Sequence, residues 1–458
     1  MIDSQYEAFV TEELEIQCNE LQEKNKKIHF LTYYDNLTKL PNKNYFVEQL
    51  ENLISSKAED NKFVLFFINI DNLKSINTVH GHDYGDKILL LISEVLKIVL
   101  PQESILCKWH GDEFIIIIED LKGKQEVIDI AENIINYIRN PFEIGEKQIY
   151  ITISIGINIY HNESSSINDI IKNVEVAMYK AKKNGKNGYS FYNDELRKNI
   201  YRNNDIRKQL GNALYNNELY LNYQPQYDIT TENVIGYEAL LRWDNNELGK
   251  ISPVEFIPIA EENGLIFTLG NWVLLNACIQ NCKWIALGYY NIIAVNVSAI
   301  QFEQDNFVQT VKDILSETKL LPQFLELEIT ENILINSLEK SVKTIEKLKE
   351  LGVRVSLDDF GTGYSSLSYL KKLPINNLKI DKTFIDDIVI SQDSKSILEA
   401  IVQLAHTLNL EVIAEGIETS EQSRILKEIK CDIAQGYYYN KPISSEEIEK
   451  VLTSNYFT

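Results

Sequence analysis

The stretch Arg354-Val355-Ser356-Leu357-Asp358-Asp359-Phe360-Gly361 is a short strand-like run that ends in two adjacent carboxylates and a glycine. Six further apolar, strand-length runs in the second half of the chain share the pattern, each with a carboxylate, an amide or a lysine at or near an end. They are VIGYEALLRW with Glu238, IIAVNVS with Asn296, FLELEIT with Glu328, NLKIDKTF with Lys379, EVIAEGIE with Glu415 and IAQGYYY with Gln435. Helix-like stretches separate most of them. Apolar strands with acids near their C-terminal ends are the signature of a parallel (β/α) barrel, whose chemistry sits on that rim. Burying so many unpaired acids would be prohibitive, so they either converge on cations or lie in solvent.

Glu238, Asn296, Glu328, Asp358, Asp359 and Glu415 offer only oxygen donors, and no histidine or cysteine lies on these strand ends. Hard oxygen donors favour magnesium or manganese over zinc or copper. Asp358 and Asp359 cannot both face one ion alike along a strand, but at a strand end one can bridge two ions while the other binds the second. Two such ions activate water and neutralise a phosphodiester in line. Lys379 is placed to orient that water or to steady the developing charge.

The bulk properties suit a cytoplasmic, two-domain enzyme. The length of 458 residues leaves room for one ordinary domain beside a barrel of roughly 250 residues. The longest apolar runs, such as FVLFFINI, are too short to cross a bilayer, and acids stand where a signal peptide would carry lysines. A net charge of -22 argues against binding polymeric nucleic acid through its phosphates, and any phosphate-bearing ligand would need cations. Five cysteines without a CxxC pair fit reduced thiols; Cys278 and Cys282 share a helical face as core packing, with no further ligands nearby to complete a zinc site.

Residues 1–31 read as a polar helix with Val10, Leu14, Leu21, Ile28 and Leu31 on a heptad stripe, which suits a parallel dimer or connector as well as an amphipathic helix packed on the next domain. Strands and helices alternate over 32–194, an α/β domain on a mixed sheet. The charged, asparagine-rich stretch 195–205 is read as a linker, and the barrel follows from 206 to 458.

The motifs YEALLRW, VNVSAIQF, ELEITE, DDFGTGYSSL, LKID, AEGIE and QGYYYNKP stand in the order of the EAL domain family, and the segment from about 205 to 455 resembles these cyclic di-GMP phosphodiesterases. The resemblance implies a modified TIM barrel with one strand reversed. It implies Glu238, Asn296, Glu328 and Asp358 around one magnesium or manganese ion, and Asp358, Asp359 and Glu415 around a second. It places Lys379 and Asp381 near the attacking water, Gln226, Arg242, Gln435 and Glu418 on the substrate, and Glu331 with the loop of Gly361 and Gly363 in coupling to dimerisation. Arg242 suits a phosphate through its fork of donors.

The first domain resembles the GGDEF family, which makes cyclic di-GMP from two GTP molecules, through DNLTKLPNK, NIDNLKSINTVHGHDYGD, KWHGDEF, ITISIGI and AMYKAKKNGKNGY. A nucleotide-cyclase-like fold is implied. Two departures fall on the chemistry: Asn69 replaces a metal-binding aspartate, and His110 replaces the first glycine of the signature His110-Gly111-Asp112-Glu113-Phe114. Histidine tolerates positive φ, so the turn survives while the ring intrudes on the nucleotide's approach. Fewer carboxylates hold magnesium triphosphate poorly. Asn77 and Asp86 match the guanine-reading pair, with a turn and helix-start role as the alternative; Lys182 and Lys186 match phosphate contacts, and Asp112 belongs to the same GTP site. Pro101-Gln102-Glu103-Ser104 replaces the RxxD motif of product inhibition, so no cyclic di-GMP is expected there. His80 and His82 are loop features, and the run Phe114–Ile118 is a buried strand.

These readings combine into a dimeric signalling hydrolase that opens cyclic di-GMP to linear pGpG, with an inactive cyclase domain that binds GTP as an activator. The alternatives are a cyclic di-GMP receptor without turnover and a bifunctional cyclase and phosphodiesterase.

Overall fold

The computed structural model describes residues 17–454 apart from 18, 20, 56–61, 120, 122, 146, 162–165, 332, 334–337 and 362–369. The chain divides into two compact units, Met1–Arg202 and Asn203–Thr458. The stretch read as a linker lies inside one helix, Asp194–Ala213. Of the heptad stripe, Val10 and Leu14 fall outside the described residues, while Leu21, Ile28 and Leu31 are exposed. Among the described residues no helix is long and apolar enough to cross a membrane.

The first unit is built on a mixed sheet of order β2-β3-β1-β6-β7, with β1 Lys62–Ile70, β2 Ile105–Lys108, β3 Glu113–Glu119, β6 Ile153–His161 and β7 Gly188–Phe191; β4 Phe142–Ile144 and β5 Lys147–Ile149 pair separately. In β1 the period of two sends Val64, Phe66 and Ile68 to one core and Phe63, Leu65 and Phe67 to the other. Helices His82–Val99 and Lys124–Arg139 cover the first face; Lys43–Ser55 and Ile167–Lys183 cover the second. A central strand buried on both faces is therefore nearly continuously apolar, as FVLFFINI is but for Asn69.

Gly156 of β6 meets the backbone of helix Ile167–Lys183 so closely that an added Cβ would lie 2.1 Å from the Val174 carbonyl oxygen and 2.3 Å from the Met178 nitrogen. Backbone cannot yield as a flexible side chain can. Gly156→Ala is expected to lower the stability of this unit by about 1–3 kcal/mol, read as an earlier urea midpoint.

The second unit closes into an eight-stranded barrel of β8 Leu219–Asp228, β9 Val234–Asn245, β11 Ile292–Val297, β12 Leu325–Thr330, β13 Arg354–Phe360, β14 Asn377–Ile380, β15 Glu411–Ala414 and β16 Ile433–Ala434, with β10 Gly249–Ile251 appended to β9. β8 runs antiparallel to both neighbours, β9 and β16, and is the reversed strand. From β9 onward the barrel pairs are parallel. In β12 both glutamates face inward at a spacing of two, and they divide the labour: Glu328 reaches the rim, whereas Glu326 closes the base. There Glu326 accepts from Arg354 Nε at 3.1 Å and Asn377 Nδ2 at 2.8 Å, and Arg354 Nη2 reaches Glu411 at 2.6 Å.

Cys278 is buried against the barrel wall with its thiol pushed up to about 12 by burial, and Cys282 donates to the Thr318 carbonyl at 3.3 Å.

Candidate active site

Lys379 sits on the inner face of β14, 1% exposed, and its ammonium gathers the rim acids. Its Nζ lies 2.7 Å from Glu328 Oε2, 2.6 Å from Glu415 Oε1, 3.4 Å from Asp358 Oδ1 and 3.8 Å from Glu238 Oε1. Burial alone would drive the lysine toward its neutral form, yet the surrounding carboxylates outweigh it and hold its pKa well above the ordinary value. The acids divide in response. Burial, then the neighbouring Glu238, pushes Glu328 well up, and burial raises Glu415 to about 8. Glu238 resists its own burial because Lys379 and the amides of Gln435 and Asn296 favour its charged form, so it is lowered.

An amide chain fixes Glu238. Asn296 Nδ2 donates to its Oε1 at 2.6 Å, and Gln435 Nε2 donates to its Oε2. Gln435 in turn accepts from Gln226 Nε2 at 3.0 Å and reaches Gln224 Oε1 at 3.2 Å. Gln226, expected on the substrate, is 3% exposed and holds Gln435 from one layer deeper. Because β8 is reversed, Gln224 stands level with Glu238 and Gln226 level with Gly236, toward the base. The earlier glutamine, not the later one, faces the rim.

Asp358 and Asp359 occupy a break in register between β13 and β14. The bulge puts Asp359 at φ 56, a left-handed conformation uncommon for non-glycine residues and typical of functional sites. That turn lets adjacent carboxylates leave the strand in different directions. Burial and the nearby Asp358 and Asp381 raise Asp359. Asp381 Oδ1 accepts from the Thr383 amide at 3.0 Å and its hydroxyl at 2.6 Å, just ahead of the short helix Thr383–Asp386. Glu331 follows the last residue of β12, and Gly361 follows the bulge; Gly363 lies outside the described residues.

A cavity of about 320 Å³ is lined by Gln224, Glu238, Asp358, Lys379, Glu415 and Gln435, with Lys382, Glu418 and Tyr437 at its edge. Glu418 is ion-paired with Lys382. A second, largely apolar cavity of about 440 Å³ holds Arg242 and Asn296 and meets the first at Leu240. Gln224, Lys382 and Tyr437 are lining groups that motif reading passed over. The reversed direction of β8 was the signal for the first; for the other two, adjacency to Asp381 and Gln435 was the only clue.

Among the described residues no three histidine, cysteine, aspartate or glutamate side chains are already spaced around one ion. The donor set nevertheless suits hard divalent cations. Four carboxylates face a single ammonium, and Glu328 Oε1 is buried without a hydrogen-bond partner. So many carboxyl oxygens crowded on one ammonium, one of them unpartnered, are more than a single lysine satisfies and suit further cations.

In the first unit Asn69, the penultimate residue of β1, pairs with Glu113 of β3 and is 3% exposed, with its Oδ1 unpartnered and its side chain hydrogen-bonded to Glu113. Burial and then Asp112 raise Glu113, against that bond and Lys182. The turn's left-handed residue is Gly111 at φ 44, and His110 takes no positive φ, which corrects the expected geometry. Buried Lys108 donates to the carbonyls of Gly111 at 2.6 Å and Glu113 at 3.0 Å and so braces that turn. Asn77 packs against Gly85, with its Oδ1 buried and unpartnered; Asp86 is exposed on the same helix as Gly85. Lys186 donates to Asn72 Oδ1 at 2.7 Å.

Fold and site together define a two-unit α/β protein whose second unit is a TIM barrel with one reversed strand and an acidic C-terminal rim. The family model described as EAL domain matches residues 207–442, and the one described as Diguanylate cyclase, GGDEF domain matches residues 32–188. The chain belongs to the EAL domain family, joined in tandem to a GGDEF domain. Among curated relatives it is 36% identical over 450 residues to the "Bifunctional diguanylate cyclase/cyclic di-GMP phosphodiesterase MucR" of Pseudomonas aeruginosa, covering 98% of this chain and 65% of that protein. It is 34% identical to the "Cyclic di-GMP phosphodiesterase PdeR" of Escherichia coli, covering 93% and 64%. The chain spans about half to two thirds of the length of the curated relatives it matches. Of solved structures, "PaMucR Phosphodiesterase, c-di-GMP complex" is 42% identical at a TM-score of 0.52, over 53% of this chain and 99% of that one. The Vibrio cholerae LapD S helix-GGDEF-EAL structure shares the fold at 19% identity and a TM-score of 0.51, over 92% of this chain and 99% of that one.

Proposed function

We propose that the barrel hydrolyses cyclic di-GMP to linear pGpG. The observation that carries this reading is the convergence of Glu238, Glu328, Asp358 and Glu415 on buried Lys379 at the floor of an open cavity. Glu238, Asn296, Glu328 and Asp358 would hold one magnesium or manganese ion, and Asp358, Asp359 and Glu415 a second. Bound there, divalent cations polarise a phosphoryl oxygen and bring the pKa of water toward neutrality. Lys379 holds the acids in register and offers its ammonium to charge that develops on the phosphate. Arg242, at the edge of the apolar cavity, takes a phosphate oxygen; Gln224 and Gln435 orient the substrate beside Glu238. Water adds across one phosphate ester, so one P–O bond breaks and a single linear dinucleotide leaves.

The first unit acts as a GTP-binding regulator without cyclase activity. Supporting this, the neutral side chain of Asn69 is hydrogen-bonded to Glu113 where a second carboxylate would be needed to hold an ion. GTP, read by Asn77, Asp86, Asp112, Lys182 and Lys186, raises hydrolysis by favouring the active state of a dimer. A bifunctional reading is favoured by the printed name of the MucR relative. Retained rim acids weigh against a receptor without turnover.

Incubation with cyclic di-GMP, and separately with GTP, in magnesium or manganese decides among these by chromatography. The expected products are pGpG from the first and no cyclic di-GMP from the second. Cyclic di-GMP made from GTP establishes bifunctionality; neither product leaves the receptor. At limiting substrate, GTP in the millimolar range is expected to raise the rate several-fold, about 5–150-fold being the usual span of such couplings. An unchanged rate sinks the regulatory reading alone.

A further inference from the structure

Five residues beyond Lys379, the short helix Thr383–Asp386 places the Phe384 ring against Gly361. A Cβ added to Gly361 would lie 2.5 Å from the ring's Cζ and 2.6 Å from Cε2. Gly361 is two residues past Asp359 and carries the bulge out of β13 at φ 96. The same segment lies against the rim on its other side. The Lys382 side chain rests on the backbone of Gly416, and a Cβ there would meet its Cγ at 2.5 Å. Glu415 itself is tied back by its amide to the Ile380 carbonyl at 3.1 Å. Lys382 and Phe384 thus touch the chain immediately after Glu415 and just after Asp359, the outer acids of the rim.

We infer that Phe384 is a positioning residue that fixes the carboxylate of Asp359 relative to Glu415, and thereby the second divalent-cation site. This rests on the two-ion reading of the rim. Asp359 needs such a support because its left-handed backbone is costly by about 1–3 kcal/mol and persists only where neighbours over-determine it. Among the described residues, the Phe384 ring occupies the space where a side chain on the outgoing Gly361 would stand. The ring is partly buried and continuous with the barrel core, so its own place is set by packing. Asp381 is bonded to Thr383, the first residue of the helix that presents it. The segment after β14 therefore works as a clip, with Lys382 at Gly416, next to Glu415, and Phe384 at Gly361, two residues past Asp359.

The test compares wild type, Phe384→Ala and Phe384→Leu by Mn²⁺ titration followed by electron paramagnetic resonance, with no substrate present. Wild type is expected to take up two ions per chain. Phe384→Ala is expected to weaken one of them by about 10–100-fold and spare the other, as loss of outer support for a ligand does. Phe384→Leu, which keeps apolar volume over Gly361, should recover part of the loss. Hydrolysis should fall in kcat more than in KM. Equal affinities for both ions in Phe384→Ala overturn the inference, as does a wild type that binds a single ion. If Phe384→Ala does not fold, the same comparison is made on Phe384→Leu, whose unchanged ion affinities likewise overturn it. A wild type that binds two ions yet fails to open cyclic di-GMP sinks the phosphodiesterase reading and leaves the clip standing.

Discussion

Glu238→Gln is expected to slow the opening of cyclic di-GMP by about 10²–10³-fold while leaving the fold intact. The substitution keeps volume and shape at a site that is 6% exposed, so no cavity forms. It removes one negative charge from the group that faces Lys379 and turns one carboxylate oxygen into a donor. Asn296 and Gln435 already donate to the two oxygens, so one of those amides must then meet an NH₂. That mismatch costs about 1–3 kcal/mol, small enough for the barrel to survive. Chemistry suffers more, because the inner ion loses a charged ligand whose position the amide chain had fixed. Rates by product chromatography, with cyclic di-GMP well above KM, read the effect in kcat. A variant within about threefold of wild type would remove Glu238 from the chemistry and, with it, the case for a rim mechanism.

Much of this architecture follows from a period of two. The alternation in ELEIT, and that in NLKI, where Asn377 and Lys379 share the inward face, put Glu328 and Lys379 on one rim and Glu326 and Asn377 below them. The same alternation also carried information that a rim-only reading did not use, since Glu326 faces inward just as Glu328 does and closes the base with Arg354, Asn377 and Glu411. Strand direction was the harder quantity. Nothing local in LYLNYQPQYD says that it runs against its neighbours, and the reversal decides whether Gln224 or Gln226 meets the cavity. Asp358-Asp359 announced two carboxylates but not the bulge that separates them, because a register shift depends on the pairing partner. His110 shows the converse. The turn was foreseen as surviving, yet its positive φ moved to Gly111, the residue that accepts it at no steric cost. In the barrel the long-range counter-ion arrangement was invisible: Lys379 read as one participant, and the fold makes it the centre.

That central place gives Lys379→Met two separable effects. Methionine fills the space but leaves Glu328, Glu415, Asp358 and Glu238 facing one another without their ammonium. Removing one partner from a buried ion cluster costs about 3–5 kcal/mol. For a unit of this size the thermal midpoint should drop by roughly 6–20 °C in chelator, at about 2–4 °C per kcal/mol. The acids then have every reason to bind cations more avidly than in wild type, since the competing charge is gone. Saturating Mn²⁺ at about 100 times its Kd returns about 2.7 kcal/mol, so much of the lost midpoint should come back. Hydrolysis should not return with it. An ion restores net charge but cannot stand where the ammonium meets charge developing on the phosphate, and the rate should stay about 10²-fold or more below wild type. Calorimetry and product analysis on the same Mn²⁺-loaded sample measure both. Recovery of rate along with stability would reduce Lys379 to a counter-ion, and a midpoint in chelator equal to wild type would mean that the buried acids are held protonated and do not lean on the lysine at all.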